Sequence, residues 1–210
     1  MTEHSTARRG FVAGAIAGMA GLAATPALAA AITSRAVVGA PDEIWLQGLT
    51  GKHRQYFDVN LLDVRALARV GNFIDVYAEA YDMKDADINV IFGAHGAATA
   101  MMLNDAMWDR HELGRRNNVT DATSRLPARR NPFATGAMSV ARLQERGVRF
   151  IVCMRSIRRL SGDLAGPHGT PEQLRSELLA NLLPGVTPVP AAIVATNRAQ
   201  EAGLTYVYIG

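Results

Sequence analysis

The 210-residue sequence has little of what most often reveals a function. It contains one cysteine, which excludes an internal disulfide and leaves a thiol that is buried, paired between chains or reactive. It has no Gly-x-Gly-x-x-Gly or Walker pattern, so a nucleotide site has no support. His111, Glu112 and His168 are possible metal ligands, but they lack the close His or Cys spacing of a structural zinc site. We therefore predict no metal site, and no residue pattern indicates a cofactor.

Excess charge and long apolar runs are also missing. The formal net charge is +3, and Glu3, Arg8 and Arg9 near the amino terminus account for one unit of it. Because the rest of the chain is only mildly basic and carries no nucleic-acid-binding motif, we expect no nucleic-acid partner. Beyond the amino-terminal segment, no stretch is long and apolar enough for a membrane span of about 20 residues. We expect no stable membrane insertion once that segment is removed.

The first 31 residues have the three parts of a secretory signal. Residues 7–13 (ARRGFVA) are similar to a twin-arginine export motif, an apolar stretch follows from Val12 to Ala24, and residues 25–29 supply an Ala-x-Ala cleavage pattern. The alternative is a membrane anchor, but the apolar run is short and rich in Gly and Ala. We predict a cleaved signal over residues 1–31, a single domain over residues 32–210 and a periplasmic location.

Strand-like and helix-like segments alternate along the remaining chain. The run Ile88 to Phe92 is mostly apolar, as in a strand covered on both faces, whereas Leu67, Val70 and Ile74 recur at helical spacing. The predicted strands are 52–57, 88–92, 148–152, 186–189 and 204–209, and the predicted helices are 64–82, 97–108, 138–146, 170–183 and 191–202. Such alternation predicts an α/β three-layer sandwich around a mainly parallel five-stranded sheet with Rossmann-like topology.

The most informative stretch surrounds the only cysteine. Residues 148–152 form a predicted buried strand that ends at Cys153, and the carboxyl ends of parallel strands are where ligands and reactive groups gather. Arg155, Arg158 and Arg159 follow, and nearby positive charge favours the nucleophilic thiolate. These residues make Cys153 a candidate reactive thiol. The alternative is that Cys153 is a small apolar core residue, as free cysteines often are.

A second stretch, Phe92 to Ala98, follows the second predicted strand. His95 lies just past that strand, between Gly93 and Gly96, which let the backbone approach a ligand closely. The free N–H groups at the start of the next helix suit an anion. We predict that His95 and Cys153 share the carboxyl edge of the sheet, where His95 accepts the thiol proton or stabilises the thiolate. The alternative is that His95 only fixes the turn.

Two further polar regions have open assignments. Asn104 either faces the predicted site as a binding residue or caps a helix. Residues 113–137 form a long arginine-rich connection without helical or strand period. Connections of this length serve as lids, contacts or disordered segments. This one either covers the carboxyl edge and brings positive charge to an acidic partner or anionic substrate, or is a mobile solvated loop.

The segment Val152 to Arg159 (VCMRSIRR) resembles the cysteine segment of the DsrE/TusD sulfur-relay proteins, a DsrE/DsrF-like superfamily. There, an apolar strand ends in Val-Cys, and a small residue and an Arg pair follow. The segment His95 to Ala97 resembles an exported, uncharacterised branch of DsrE-like proteins. The resemblance implies a five-stranded fold with the cysteine strand third, a cysteine that carries sulfur as a persulfide, and homo-oligomers, commonly trimers or hexamers.

Two hypotheses of function follow. In the first, the protein is a sulfane-sulfur carrier in which Cys153 accepts sulfur from a donor protein or small anion, Arg155 and Arg158 stabilise the anionic sulfur, and His95 assists proton transfer. In the second, Cys153 is inert and the His95 loop, with Gly96, holds a small anion, a metal or a partner in a non-catalytic oligomeric module.

Overall fold

A computed structural model describes residues 43–210, so the predicted signal segment lies outside the described residues. Five strands form one sheet in the order β4-β3-β2-β1-β5, and each neighbouring pair is parallel. The strands are β1 His53–Val59, β2 Ile88–Ala94, β3 Arg149–Cys153, β4 Val186–Val189 and β5 Thr205–Ile209. The chain lays down β1 to β4 side by side and then crosses back to place β5 beside β1.

Helices connect these strands. The α-helices of the described part are α1 Val64–Tyr81, α2 Asp105–Arg110, α3 Leu113–Arg116, α4 Val140–Glu145, α5 Met154–Leu164, α6 Pro171–Ala180 and α7 Ala192–Glu201. Short 3-10 helices cover Ile44–Leu46, Asp85–Asp87 and Gly96–Met102. No helix within residues 43–210 is long and apolar enough to cross a membrane.

Two cores form because successive strand residues point to opposite faces of the sheet. Phe92 and Phe150 belong to the larger core, which also takes buried residues from α1, α4, α5 and α6. Tyr56 and Ile151 belong to the smaller core, which α7 covers together with Trp45. Helices therefore pack on both faces, and the predicted α/β class and three-layer architecture are confirmed.

The helix predicted over residues 97–108 was wrong as a single element. The chain instead forms the 3-10 helix Gly96–Met102 and then α2, with a break at Leu103 and Asn104. The Asn104 side chain accepts a hydrogen bond from the Met107 N–H at 3.2 Å and so caps α2. Asparagine stabilises such a position because its side chain satisfies an N–H group that lacks a helical partner. The periodic apolar pattern of the sequence continues across this break, so nothing in the sequence indicated it.

The arginine-rich connection 113–137 contains local secondary structure and ion pairs to neighbouring elements. It contains α3 and an isolated bridge between Thr120 and Pro127. Three of its five arginines pair with acids: Arg115 with Glu112, Arg129 with Asp109 and Arg130 with Asp105. Exposed ion pairs contribute little stability, but these three neutralise part of the charge that a basic lid would offer.

His111 is a buried titratable group behind this connection. Its side chain is fully buried, and neither ring nitrogen has a hydrogen-bond partner within residues 43–210. Burial lowers the pKa of His111; Glu177, at 3.7 Å, opposes that shift, and His168, Arg110 and Arg116 add to it. No three His, Cys, Asp or Glu side chains within the described range are placed to share a metal ion.

Replacing His111 with leucine is expected to flatten the pH dependence of stability. The folded-state pKa lies below the ordinary 6.5, so the unfolded chain binds the proton more tightly. The contribution of neutral His111 to the free energy of unfolding is therefore fully present above about pH 6.5. It is lost as the pH falls from there toward the lower folded-state pKa. Urea unfolding at about pH 7.5 and about pH 5.5 should show a smaller loss for the variant than for the wild type. His53→Gln, at an exposed position of β1, is the control and should keep the wild-type loss.

Candidate functional site

His95 and Cys153 come to neighbouring positions at the carboxyl edge of the sheet. Ala94 and Val152 form the last pair in the β2–β3 register; His95 follows the end of β2, and Cys153 is the last residue of β3. Because strand residues alternate between faces, Cys153 lies on the face that α7 covers. The structure thus gives the two residues the shared edge that the sequence predicted, while their chemistry is a separate question.

The Cys153 sulfur lies where two helices begin. Cys153 is the N-cap residue of α5, and its Sγ accepts a hydrogen bond from the backbone N–H of Ala192 at 3.3 Å. Ala192 is the first residue of α7. Helix amino termini carry partial positive charge, so both helices place such charge beside this sulfur. The residue is only 5% exposed, so the thiol is buried.

Buried polar groups connect to this thiol through Tyr56, which lies near Cys153, Asp58 and Thr196. The buried atoms Asp58 Oδ1 and His95 Nε2 have no hydrogen-bond partner among residues 43–210, and the buried Tyr56 and Thr196 hydroxyls have none there except each other. Asp58 Oδ1 and His95 Nε2 lie 3.1 Å apart, but their geometry falls short of a hydrogen bond. We call these four residues and Cys153 the thiol cluster. Buried polar groups are normally hydrogen-bonded, so a concentration of exceptions marks a place where water or a substrate completes the bonding.

Tyr56, a member of the thiol cluster, and the neighbouring Tyr206 both keep their hydroxyl protons and can donate hydrogen bonds. Burial raises the pKa of Tyr56; the nearby Thr196 hydroxyl opposes the rise, and Asp58, Cys153 and Tyr206 add to it. Burial also raises the pKa of Tyr206, which donates a hydrogen bond to Asp58 Oδ2 at 3.1 Å. Both phenols therefore keep their protons at neutral pH. They supply O–H groups beside a thiol and a carboxylate.

A polar cleft of about 590 Å³ opens on the other side of His95, between α5 and the 3-10 helix Gly96–Met102. We call it the basic cleft. Its polar lining includes Asn60, Thr99, Asn117, Arg155, Ser156 and Arg159. His95 lines the basic cleft and also belongs to the thiol cluster, whereas Cys153 does not line the basic cleft. The edge therefore carries two adjoining sites that share one histidine.

The N–H groups expected to be free at the start of the 3-10 helix are already bonded. The Gly96 N–H donates to Ser156 Oγ and the Ala97 N–H donates to Asn60 Oδ1, each at 3.0 Å. Gly96 has a φ of +52°, and a β-carbon there would lie 1.9 Å from Asn60 Oδ1. Glycine is therefore required for this turn. Gly96 shapes the wall of the basic cleft and does not present an open anion-binding N–H.

Of the other predicted binding residues, one lines the basic cleft and two lie outside it. Arg155 lines the basic cleft. Arg158 is exposed on α5 and lies outside the lining of the cleft. Asn104 caps α2 and donates to Asn181 Oδ1 at 2.9 Å, so its side chain is engaged away from the cleft wall. Only Arg155 and Gly96 of this predicted set are brought together.

The sequence reasoning missed several members of the thiol cluster. The predicted first strand ended at residue 57, but β1 continues through Asp58 to Val59. Tyr56 and Asp58 stand two positions apart and therefore share a face. Alternation along a longer first strand was the signal that could have found them. Thr196 lies within α7, and nothing in the sequence linked it to Cys153.

Comparisons with known proteins add little to this geometry. No protein-family model matches the chain, and no curated protein matches it. A solved structure of a protein of unknown function, MTH1491 from Methanobacterium thermoautotrophicum, aligns with 74% of this chain and 98% of its own length. The sequence identity is 18% and the TM-score is 0.41. That likeness carries no functional conclusion, and the resemblance to the DsrE/TusD proteins stays a prediction.

Proposed function

We propose that this protein carries sulfane sulfur on Cys153. One observation carries the proposal: the sulfur lies at the amino termini of two helices, accepts the Ala192 N–H and has the buried Tyr56 hydroxyl nearby. A thiol used only as core filler needs apolar neighbours. The cluster supplies instead a carboxylate, an imidazole and hydroxyl groups, which are the groups of a reactive site.

The proposed step is a sulfur transfer without net oxidation. The Cys153 thiolate attacks the terminal sulfane sulfur of a donor, a new S–S bond forms, and the S–S bond of the donor breaks. With thiosulfate as donor, sulfite leaves with the bonding electron pair, and the cysteine becomes a persulfide. The reaction of the persulfide with an acceptor thiolate regenerates Cys153. No external oxidant is needed.

Neighbouring groups support this step. His95, with Asp58 at 3.1 Å, accepts the thiol proton as the sulfur becomes charged. In the proposed step, the Tyr56 hydroxyl, which lies near Cys153, donates a hydrogen bond to the anionic sulfur. Large apolar side chains are exposed on the first turn of α7 and on β5: Ile193, Val194, Tyr206 and Tyr208. Exposed apolar side chains such as these suit contact with another protein, such as a sulfur donor.

A binding module with an inert cysteine is the second candidate. It is favoured by one observation, namely that Cys153 does not line the basic cleft. In that case the cleft is the functional part, and Cys153 only packs. The twin-arginine export, the periplasmic location and the assembly into trimers or hexamers stay predictions under either candidate.

Intact-mass analysis after exposure to inorganic polysulfide separates the candidates. The sulfur-carrier proposal predicts a gain of about 32 Da, one sulfur atom, that a thiol reductant removes. The Cys153→Ser variant should show no gain. Because the sequence contains no other cysteine, the added mass reports on this residue alone. A folded wild type that stays unmodified, and gains sulfur only when it is denatured, would reject the sulfur-carrier proposal and leave the binding module.

A further inference from the structure

We propose that the basic cleft binds an oxyanion group, of the class of sulfate, thiosulfate, phosphate or a phosphate ester. This inference goes beyond the proposed function. Cys153 does not line the basic cleft, so binding there requires no reactive thiol. The cleft brings together positive charge, hydrogen-bond donors and a buried hydroxyl.

The basic cleft holds arginines that are not neutralised. Arg155 and Arg159 lie one helical turn apart on α5, and both line the cleft. Neither has an acidic partner within 4.0 Å among residues 43–210. Asp163 also lines the cleft and offsets part of this charge, which leaves an excess of positive charge. Guanidinium groups bind oxyanions through paired N–H donors.

Neutral donors face the same space. Ser156 Oγ and Asn60 Oδ1 act as acceptors for the backbone of the 3-10 helix. These bonds fix the two side chains and leave the Ser156 O–H and the Asn60 amide NH₂ without an acceptor elsewhere in the described range. Since an oxyanion only accepts hydrogen bonds, a lining of unused donors matches it.

A buried hydroxyl provides an independent indication of a ligand. Thr99 lines the basic cleft, is 2% exposed, and its Oγ1 has no hydrogen-bond partner among residues 43–210. Leaving a buried hydroxyl unpaired costs stability, so native proteins rarely do so without a reason. An oxyanion in the cleft would accept the Thr99 O–H. The cleft volume of about 590 Å³ admits such a group together with the small molecule that carries it.

Isothermal titration at constant ionic strength, with chloride as the replaced ion, tests this inference. The probes are sulfate, thiosulfate, inorganic phosphate and glycerol phosphate, of which the last reports binding of an ester. We expect saturable binding of at least one probe, weakened about tenfold by Arg159→Gln, because one charge-assisted hydrogen bond is lost. Thr99→Val should also weaken it.

The matched control is Arg158→Gln, which removes the same charge from the same helix outside the cleft. It should change the affinity by less than about twofold, since only long-range attraction is altered. Equal weakening by Arg158→Gln and Arg159→Gln, or no saturable binding of any probe, would overturn the inference. Titration of Cys153→Ser keeps the two proposals separate, because this variant loses sulfur loading but should bind the oxyanion as the wild type does.

Discussion

Gly93→Ala is expected to lower the free energy of unfolding by about 3 kcal/mol, the upper range for overpacking a core. A β-carbon at Gly93 would lie 2.1 Å from the Tyr56 hydroxyl oxygen and 2.6 Å from the ring carbon that bears it. Tyr56 is fully buried in the core that α7 covers, so its ring can shift only by displacing closely packed neighbours. The same change displaces a hydroxyl of the thiol cluster, so sulfur loading of Cys153 should fall as well.

Urea unfolding of Gly93→Ala measures this effect, and Gly162→Ala is the control. Gly162 lies inside α5, and a β-carbon there would meet nothing within 4 Å. Alanine should therefore raise stability by about 0.5–1 kcal/mol, as expected for a helix interior. Combining Gly93→Ala with Tyr56→Phe should recover part of the loss, since the closest clashing atom is removed. An unchanged midpoint for Gly93→Ala alone would contradict the packing described for β1, β2 and α7.

Asn131→Ala is expected to cost about 3 kcal/mol or more, because three buried hydrogen-bonding groups lose their partner at about 1 kcal/mol or more each. The Asn131 Nδ2 donates to the carbonyls of Met101 and Leu103 at 2.8 and 2.7 Å. Its Oδ1 accepts from the Phe133 N–H at 2.8 Å. These bonds hold the end of the 3-10 helix that carries Thr99, so oxyanion affinity should also fall.

The matched control for this change is Asn72→Ala. Asn72 is exposed on α1, and its side chain makes no hydrogen bond within the described range. Its replacement should shift the unfolding free energy by no more than about 0.5 kcal/mol. If thermal and urea unfolding give Asn131→Ala the same small change in unfolding free energy as Asn72→Ala, the anchoring role of Asn131 is wrong.

The strands and most helices could be predicted because their signals are local. The capping box from Thr170 to Gln173 and the proline at the first helical position mark the start of α6 in both sequence and structure. Apolar runs mark β2 and β3, since both faces of those strands are covered. The break before Asn104 was not predicted, because a local helical pattern continues across it and a tertiary hydrogen-bonding network sets the boundary.

The candidate site was predictable only in part, for a related reason. Cys153 and His95 each follow an apolar strand, and the rule for parallel sheets brings strand ends together. Tyr56 and Thr196 join them through the packing of α7, which crosses from β4 back to β5. The neutralisation of Arg129 and Arg130 by acids of α2 also depends on tertiary folding. The composition of the 113–137 connection therefore overstated its positive charge, because the paired acids lie outside that segment.

Reaction of Cys153 in the folded protein is tested by its alkylation rate with iodoacetamide in native and unfolded protein. If Cys153 is a site thiol, it should react in the native state within about tenfold of the unfolded rate, or faster, because a sulfur-carrying site must admit small reagents. A thiol buried in the core reacts only through unfolding, at a fraction of about 10⁻³ or less of the unfolded rate. The first result would support sulfur carriage by Cys153. The second would contradict it and leave the basic cleft as the functional part of the molecule.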